Sequence, residues 1–180
     1  MQAEEIARLM AGSCAQGAGE RPEDEGFMLE ALAEARLAAD EGEVPVGAVV
    51  VCGGEIVARA HNMTEGTKDP TAHAEMLAIR RAAEVLRGSV HRLTGCSMYV
   101  TLEPCAMCAG AVVNARLERL IFGAADPKAG ACGSLRDIVR DERLNHRVPV
   151  TRGVLEEECS GVLKEFFRTR RAEKKHPKEN

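Results

Sequence analysis

The sequence predicts an α/β domain built on a mixed sheet, and two stretches carry that expectation. Residues 45–62 place two β-rich runs on either side of Gly53-Gly54, the pattern of an antiparallel hairpin with a two-residue turn. Residues 96–123 read strand, helix, strand, and a crossover of that length joins parallel strands. A sheet that holds both pairings is mixed. The chain has 180 residues, 45 % hydrophobic and 29 % charged, which is too apolar for disorder throughout. No run approaches the roughly 20 apolar residues that a membrane span needs.

The elements follow in order. Residues 1–22 mix Gly, Ala, Ser and Glu without a sustained period, and read as a disordered extension. Pro22 and the acids Glu23, Asp24 and Glu25 then mark a helix start. Phe27, Met28, Leu32, Ala35, Leu37 and Ala38 recur at helical spacing over 25–41, with Gly42 as the stop. Residues 45–52 form a buried strand and 55–62 its partner. Residues 71–86 are helical in pattern, capped by Thr71 and ended by Gly88. The strand over 96–102 must stop before Pro104, which cannot donate to a ladder. A helix over 105–116, a strand over 119–123, an edge strand within 148–154 and a closing helix over 155–171 complete the domain. The expected division is an extension over 1–22, a folded domain over 23–171 and a basic flexible tail over 172–180.

The net charge of −4 hides a division. Residues 1–45 carry three bases against eleven acids, residues 164–180 seven bases against three acids, and the stretch between them balances. Local basic patches govern attraction to phosphate more than the total does, so the acidic average does not exclude a polyanionic partner. The basic end also reads as a solvated terminal helix. Near the N-terminus Glu4 and Glu5 outnumber Arg8, unlike a secretory signal, so a cytoplasmic location is expected. Thiols stay reduced there, and the odd count of seven cysteines cannot pair fully within the chain. There is no phosphate-binding glycine fingerprint and no internal repeat.

The chemistry rests on His73, Cys105 and Cys108. Cys105 and Cys108, three apart at a helix start, share one face, where the helix dipole favours thiolates. A lone Cys-x-x-Cys also fits a redox pair or plain packing. His73, at the start of the preceding helix, tilts the reading towards a metal, because helices flanking parallel strands bring their N-termini to one sheet edge. A histidine and two thiolates suit zinc, and three protein ligands rather than four leave a position for water. Cys132 is the strongest candidate for a fourth ligand, and water is preferred. Glu75 stands two residues after His73, where a carboxylate can move protons without occupying the metal; otherwise it reads as a solvated helical residue.

Thr71-Ala-His-Ala-Glu75 and Leu102-Glu-Pro-Cys-Ala-Met-Cys-Ala-Gly-Ala111 together resemble the H-x-E and P-C-x-x-C signature of the zinc-dependent cytidine and deoxycytidylate deaminase superfamily. Within it the chain is most similar to the bacterial-type tRNA adenosine deaminases. Glu43-Val-Pro-Val-Gly-Ala-Val49, His61-Asn62, Gly130-Ala-Cys-Gly-Ser-Leu135 and Asn145-His-Arg-Val148 extend the likeness from about residue 25 to 171. The resemblance implies a three-layer αβα fold with a central mixed five-stranded sheet. It implies zinc held by His73, Cys105 and Cys108, and Glu75 as the residue that moves a water proton to adenine N1 and then assists ammonia to leave, giving inosine. No organic cofactor is implied. The expected substrate is the wobble adenosine of a tRNA anticodon stem-loop, a base already free of pairing. Asn62, Val46 and the backbone near Ala74 would form the purine pocket. Asp126, Lys128, Asn145, Phe167 and Arg170 would meet flanking nucleotides, and a homodimer would shape the RNA site. Asn114-Ala115 departs from the His-Ser pair of some members. The rivals are a sister deaminase of free guanine, deoxycytidylate or another small base, and a non-enzymatic zinc-stabilised interaction domain.

Overall fold

The computed structural model describes residues 19–86 and 92–175. Five strands form one sheet in the order β2-β1-β3-β4-β5, with β1 at Gly47–Cys52, β2 at Glu55–His61, β3 at Cys96–Leu102, β4 at Arg119–Ala124 and β5 at Val150–Arg152. The hairpin pairs β1 with β2 antiparallel, and β1 also runs antiparallel to β3. The strands β3, β4 and β5 are mutually parallel. The mixed five-stranded sheet therefore matches the expected fold. Gly53 and Gly54 both adopt positive φ (60° and 85°), as a two-residue hairpin turn requires.

Side-chain parity sorts the core into two layers. Ala48, Val50, Met98, Val100, Leu120 and Phe122 face one side of the sheet, where they meet α3 (Ala74–Val85) and α4 (Ala106–Asn114). Val49, Val51, Tyr99 and Ile121 point the other way. There they meet Met28, Ala31 and Leu32 of α1 (Asp24–Asp40) and Cys159 of α5 (Glu156–Lys175). Period-two alternation across a sheet covered on both faces thus yields the αβα sandwich.

Several boundaries differ from expectation. The first helix ends at Asp40, and the chain leaves it through Gly42 N–H to Ala39 C=O (3.0 Å) and Glu43 N–H to Ala38 C=O (2.9 Å), the reciprocal pair of a Schellman ending. Thr71 does not cap α3: its N–H and hydroxyl both bond Asp69 Oδ1 in a local turn (2.8 and 2.6 Å), and His73 is the N-cap residue. A turn of helix at Thr64–Thr67 (α2) was not expected; Glu43 organises it by accepting from Thr64 Oγ1 and Gly66 N–H. The edge strand β5 is confined to Val150–Arg152, and α5 runs through Lys175, past the expected end at 171. Gly88, most of the extension over 1–22 and the last residues of the tail lie outside the described residues.

At the edge where β4 begins, Arg119 and Asp24 are buried together, 1 % and 0 % exposed. Arg119 donates to both Asp24 oxygens (3.1 and 2.9 Å), to Thr151 Oγ1 (3.0 Å) and to the Gly19 carbonyl (2.9 Å), and Tyr99 donates to Asp24 Oδ1 (2.8 Å). Burial by itself raises the Asp24 carboxyl, but hydrogen bonds from Arg119, Arg21 N–H and Tyr99 outweigh it and hold the group below its ordinary 3.8. Its contribution to stability is complete above the unfolded value and is lost as pH falls through the lower folded value. Urea unfolding should accordingly show stability declining below about pH 4, and Asp24→Asn should flatten that decline. Arg119→Leu, which strands a buried carboxylate, should cost about 3–5 kcal/mol at pH 7 in the same measurement.

Candidate metal centre

Two helix starts meet at the carboxyl ends of the parallel strands. His73 is the residue before α3, with extended backbone (φ −73°, ψ 151°), and Cys105 is the residue before α4 (φ −71°, ψ 174°). Cys108 follows in the first turn of α4 and is buried. His73 Nδ1 lies 3.8 Å from Cys105 Sγ and 3.6 Å from Cys108 Sγ, and all three ligand atoms fall within 4.8 Å of one another. A tetrahedral ion at ordinary zinc–nitrogen and zinc–sulfur lengths separates such donors by about 3.6 Å, so the spacing fits a metal.

The electrostatics point the same way. Cys105 is drawn down to about 3, first by its hydrogen bond with Cys108 and then by His73. Cys108 is pushed far up by sharing that bond and by burial, while His73 is raised chiefly by Cys105. Metal binding at such a cluster takes both sulfurs as thiolates and the imidazole as the neutral ring, and so releases protons. Cys132 belongs to no such cluster among the described residues; its thiol is turned to the Pro104 carbonyl at 3.9 Å. Burial lifts it to a pKa above that of an ordinary thiol.

Glu75 is 4 % exposed in the first turn of α3, and the alternative of a solvated helical residue does not hold. It interacts with His73, Cys105 and Cys108, and burial pushes its carboxyl up against the opposing pull of its own backbone N–H and His73. Asn62 is buried and accepts the Ala74 N–H through Oδ1 at 2.9 Å, and its own N–H bonds the Val46 carbonyl at 3.0 Å. Asn62, Val46 and Ala74 are therefore joined beside the cluster by two hydrogen bonds.

The remaining residues of the expected RNA face are dispersed. Phe167, 43 % exposed, and Arg170 line a cavity of about 220 Å³ with Val44 and Thr64. Arg170 stands over the ring of Phe166 at 5.6 Å. Asn145 is exposed and lines a different, open cavity of about 650 Å³ with His146 and Arg147; its carbonyl accepts from Arg116 at 2.6 Å. Asp126 turns its carboxylate into its own loop, accepting from Lys128 and Ala129 N–H. The Asn114-Ala115 departure lies at the C-terminal end of α4, away from the ligands at its start. Sequence reasoning assigned no role to Glu103, which is 2 % exposed beside the cluster; the only signal in the sequence was a charged residue wedged between an apolar strand and Pro104.

The MafB19-like deaminase family profile matches residues 23–171. A tRNA-specific adenosine deaminase of Bacillus subtilis is 52 % identical over 158 residues, covering 88 % of this chain and 97 % of its own length. Its counterpart in Haemophilus influenzae is 48 % identical over 84 % of this chain and 87 % of its own. A solved tRNA:A34 deaminase, studied for A-to-I editing at the wobble position of transfer RNA, superposes with a TM-score of 0.73 at 46 % identity, over 77 % of this chain and 99 % of that one. Guanine deaminase from Nitrosomonas europaea shares the fold, with a TM-score of 0.70 at 21 % identity over 92 % and 93 % of the two chains.

The ligand geometry leads to a direct measurement. Cys105→Ser should lower metal content, read by plasma mass spectrometry, from one ion per chain to near zero, whereas Cys132→Ser should leave it at one.

Proposed function

This chain belongs to the tRNA-specific adenosine deaminase family, within the MafB19-like deaminases, and from that premise we propose that it converts adenosine to inosine at the wobble position of a tRNA anticodon loop, with water consumed and ammonia released. The observation that carries the reading is the buried Glu75 beside the His73, Cys105 and Cys108 cluster. A structural metal site has no use for a buried carboxylate that does not ligate, whereas a hydrolytic one does.

His73 Nδ1 and the two sulfurs hold zinc in this reading. When bound, zinc supplies the Lewis acidity that makes a water nucleophilic near neutral pH. Glu75 would take a proton from that water as its oxygen adds to C6, pass it to purine N1, and then carry the remaining proton of the new C6 hydroxyl to the exocyclic amine, so that the C6–N bond breaks and ammonia leaves. Asn62 orients the base. Its Oδ1 is committed to Ala74 N–H, so its amide nitrogen is the group available to donate to the purine or ribose. Val46, which is buried, and the backbone near Ala74 help form the pocket. A wobble base is unpaired already, so extruding it costs little.

Asp126, Lys128, Asn145, Phe167 and Arg170 contact the flanking nucleotides, with Phe167 offering an exposed ring for stacking and Arg170 a phosphate partner. Arg168 and Arg171 of α5, both exposed, add bases on the same helix for the RNA backbone. Homodimeric assembly and a cytoplasmic location belong to the same proposal. Among the described residues no helix is long and apolar enough to cross a membrane.

Glu75→Ala should keep one metal ion per chain and lose inosine formation by at least about a thousandfold, read by nucleoside chromatography of a digested anticodon stem-loop. Substantial residual turnover would remove Glu75 from the proton path. The protein offered tRNA transcripts, free nucleosides and free bases side by side should yield inosine from tRNA; turnover of small bases alone would instead favour the sister deaminases. Deleting residues 168–180 should weaken stem-loop binding and flatten its salt dependence while metal content stays unchanged.

A further inference from the structure

The geometry points to Glu103 as a positioning residue, one that fixes the loop over 126–134 against the metal-ligating start of α4 and so holds the substrate-facing rim in register. The inference rests on the deaminase reading for what that rim contacts; the contacts themselves stand apart from it.

Glu103 follows the last residue of β3, and its N–H donates to the Ala124 carbonyl at 2.8 Å. Its carboxylate spends every oxygen on one loop. Oε1 accepts the N–H groups of Cys132 (3.0 Å) and Ser134 (2.9 Å), while Oε2 accepts the N–H of Asp126 (3.0 Å) and the hydroxyl of Ser134. Donors as much as eight residues apart in sequence thus converge on a single buried group. The same loop is stitched to the next two residues of the chain. Ala131 N–H donates to the Pro104 carbonyl at 2.9 Å, and Gly130 pairs with Cys105 in an antiparallel bridge. A Cβ at position 130 would sit 2.4 Å from Glu103 Cδ and 2.5 Å from the Asp126 carbonyl oxygen, so only glycine permits so close an approach.

Glu103 stands outside the ligand cluster, and its lone pairs are turned into the loop, so it acts through the loop and not on the reacting atoms. What it holds is the stretch bearing Asp126 and Lys128, directly against the residue that precedes α4. A longer or shorter side chain could fill the space, but only a group with two acceptor oxygens can receive all four donors.

Glu103→Gln keeps the shape and replaces one acceptor by an NH2. With that NH2 in the Oε2 position the Ser134 hydroxyl can rotate and accept, and Asp126 N–H alone loses its partner. The opposite orientation would confront two N–H groups. The expected result is amide exchange at least about tenfold faster across 126–134, with β3 and β4 peptides unchanged. Metal content should stay at one per chain. For an anticodon stem-loop KM should rise about tenfold while kcat stays within about threefold. Gly130→Ala, which displaces the carboxylate without changing its charge, should reproduce the KM effect and decides the matter if the glutamine variant does not fold. Unchanged exchange and KM in a folded variant would overturn the inference, as would parallel losses of kcat and metal, since those mark a support of the metal site alone. If the unaltered protein forms no inosine on any RNA, the deaminase reading fails, and the exchange data still decide whether Glu103 holds the loop.

Discussion

The site depends on a substitution of roles at two helix N-termini. The residue before a helix ordinarily turns its side chain back to cap the exposed N–H groups of the first turn, a contribution of about 1 kcal/mol. Here the residues in those positions are His73 and Cys105, and neither side chain caps its helix. Both are directed at each other and at Cys108. Neither helix start is capped by the side chain before it, and the surroundings make good part of the loss. Asn62, at the end of β2, lends its Oδ1 to Ala74 N–H across the hairpin. The positive end of each helix dipole meanwhile favours the thiolates, so the feature that makes these ends costly to leave uncapped also makes them suitable for anionic sulfur.

The convergence requires a sheet that does not shift. Parallel pairing of β3 with β4 sets where α4 begins, and antiparallel pairing of β1 with β3 sets where the hairpin delivers Asn62. At the opposite edge Asp24, Tyr99, Arg119 and Thr151 tie α1 to three of those strands through a fully buried charge pair. The anchor and the metal centre thus occupy opposite ends of the same strands.

Buried carboxylates do different work in this molecule according to their partners. Glu43 and Glu103 are surrounded by N–H and hydroxyl donors that outweigh the cost of burial and hold both below their ordinary values, and both organise loops beside the site. Glu75 lacks such a donor set, burial prevails, and its carboxyl is raised. Three glutamates of similar exposure are thus shifted in opposite directions according to the donors that surround them.

Much of this was legible in the chain, and the limits follow from range. The spacing of Cys105 and Cys108 is a property of one helix turn, the Gly53-Gly54 turn is a property of two residues, and strand alternation is a property of the pleat; all three are local and are found in the fold. Thr71 has the propensity of a cap but does not act as one, because Asp69, two residues earlier, competes for the same hydroxyl and N–H, and propensity does not rank such rivals. Glu103 passed without a role since its donors lie 23 to 31 residues away. The sequence by itself determined the donor types, their helix-start setting and the mixed pairing of the sheet. Only the tertiary structure decided that His73 stands within 4 Å of both sulfurs, that Cys132 turns away, and that Glu75 is enclosed. Those are distances through space between segments about 30 residues apart, and they are set by strand order and layer packing rather than by any neighbour along the chain.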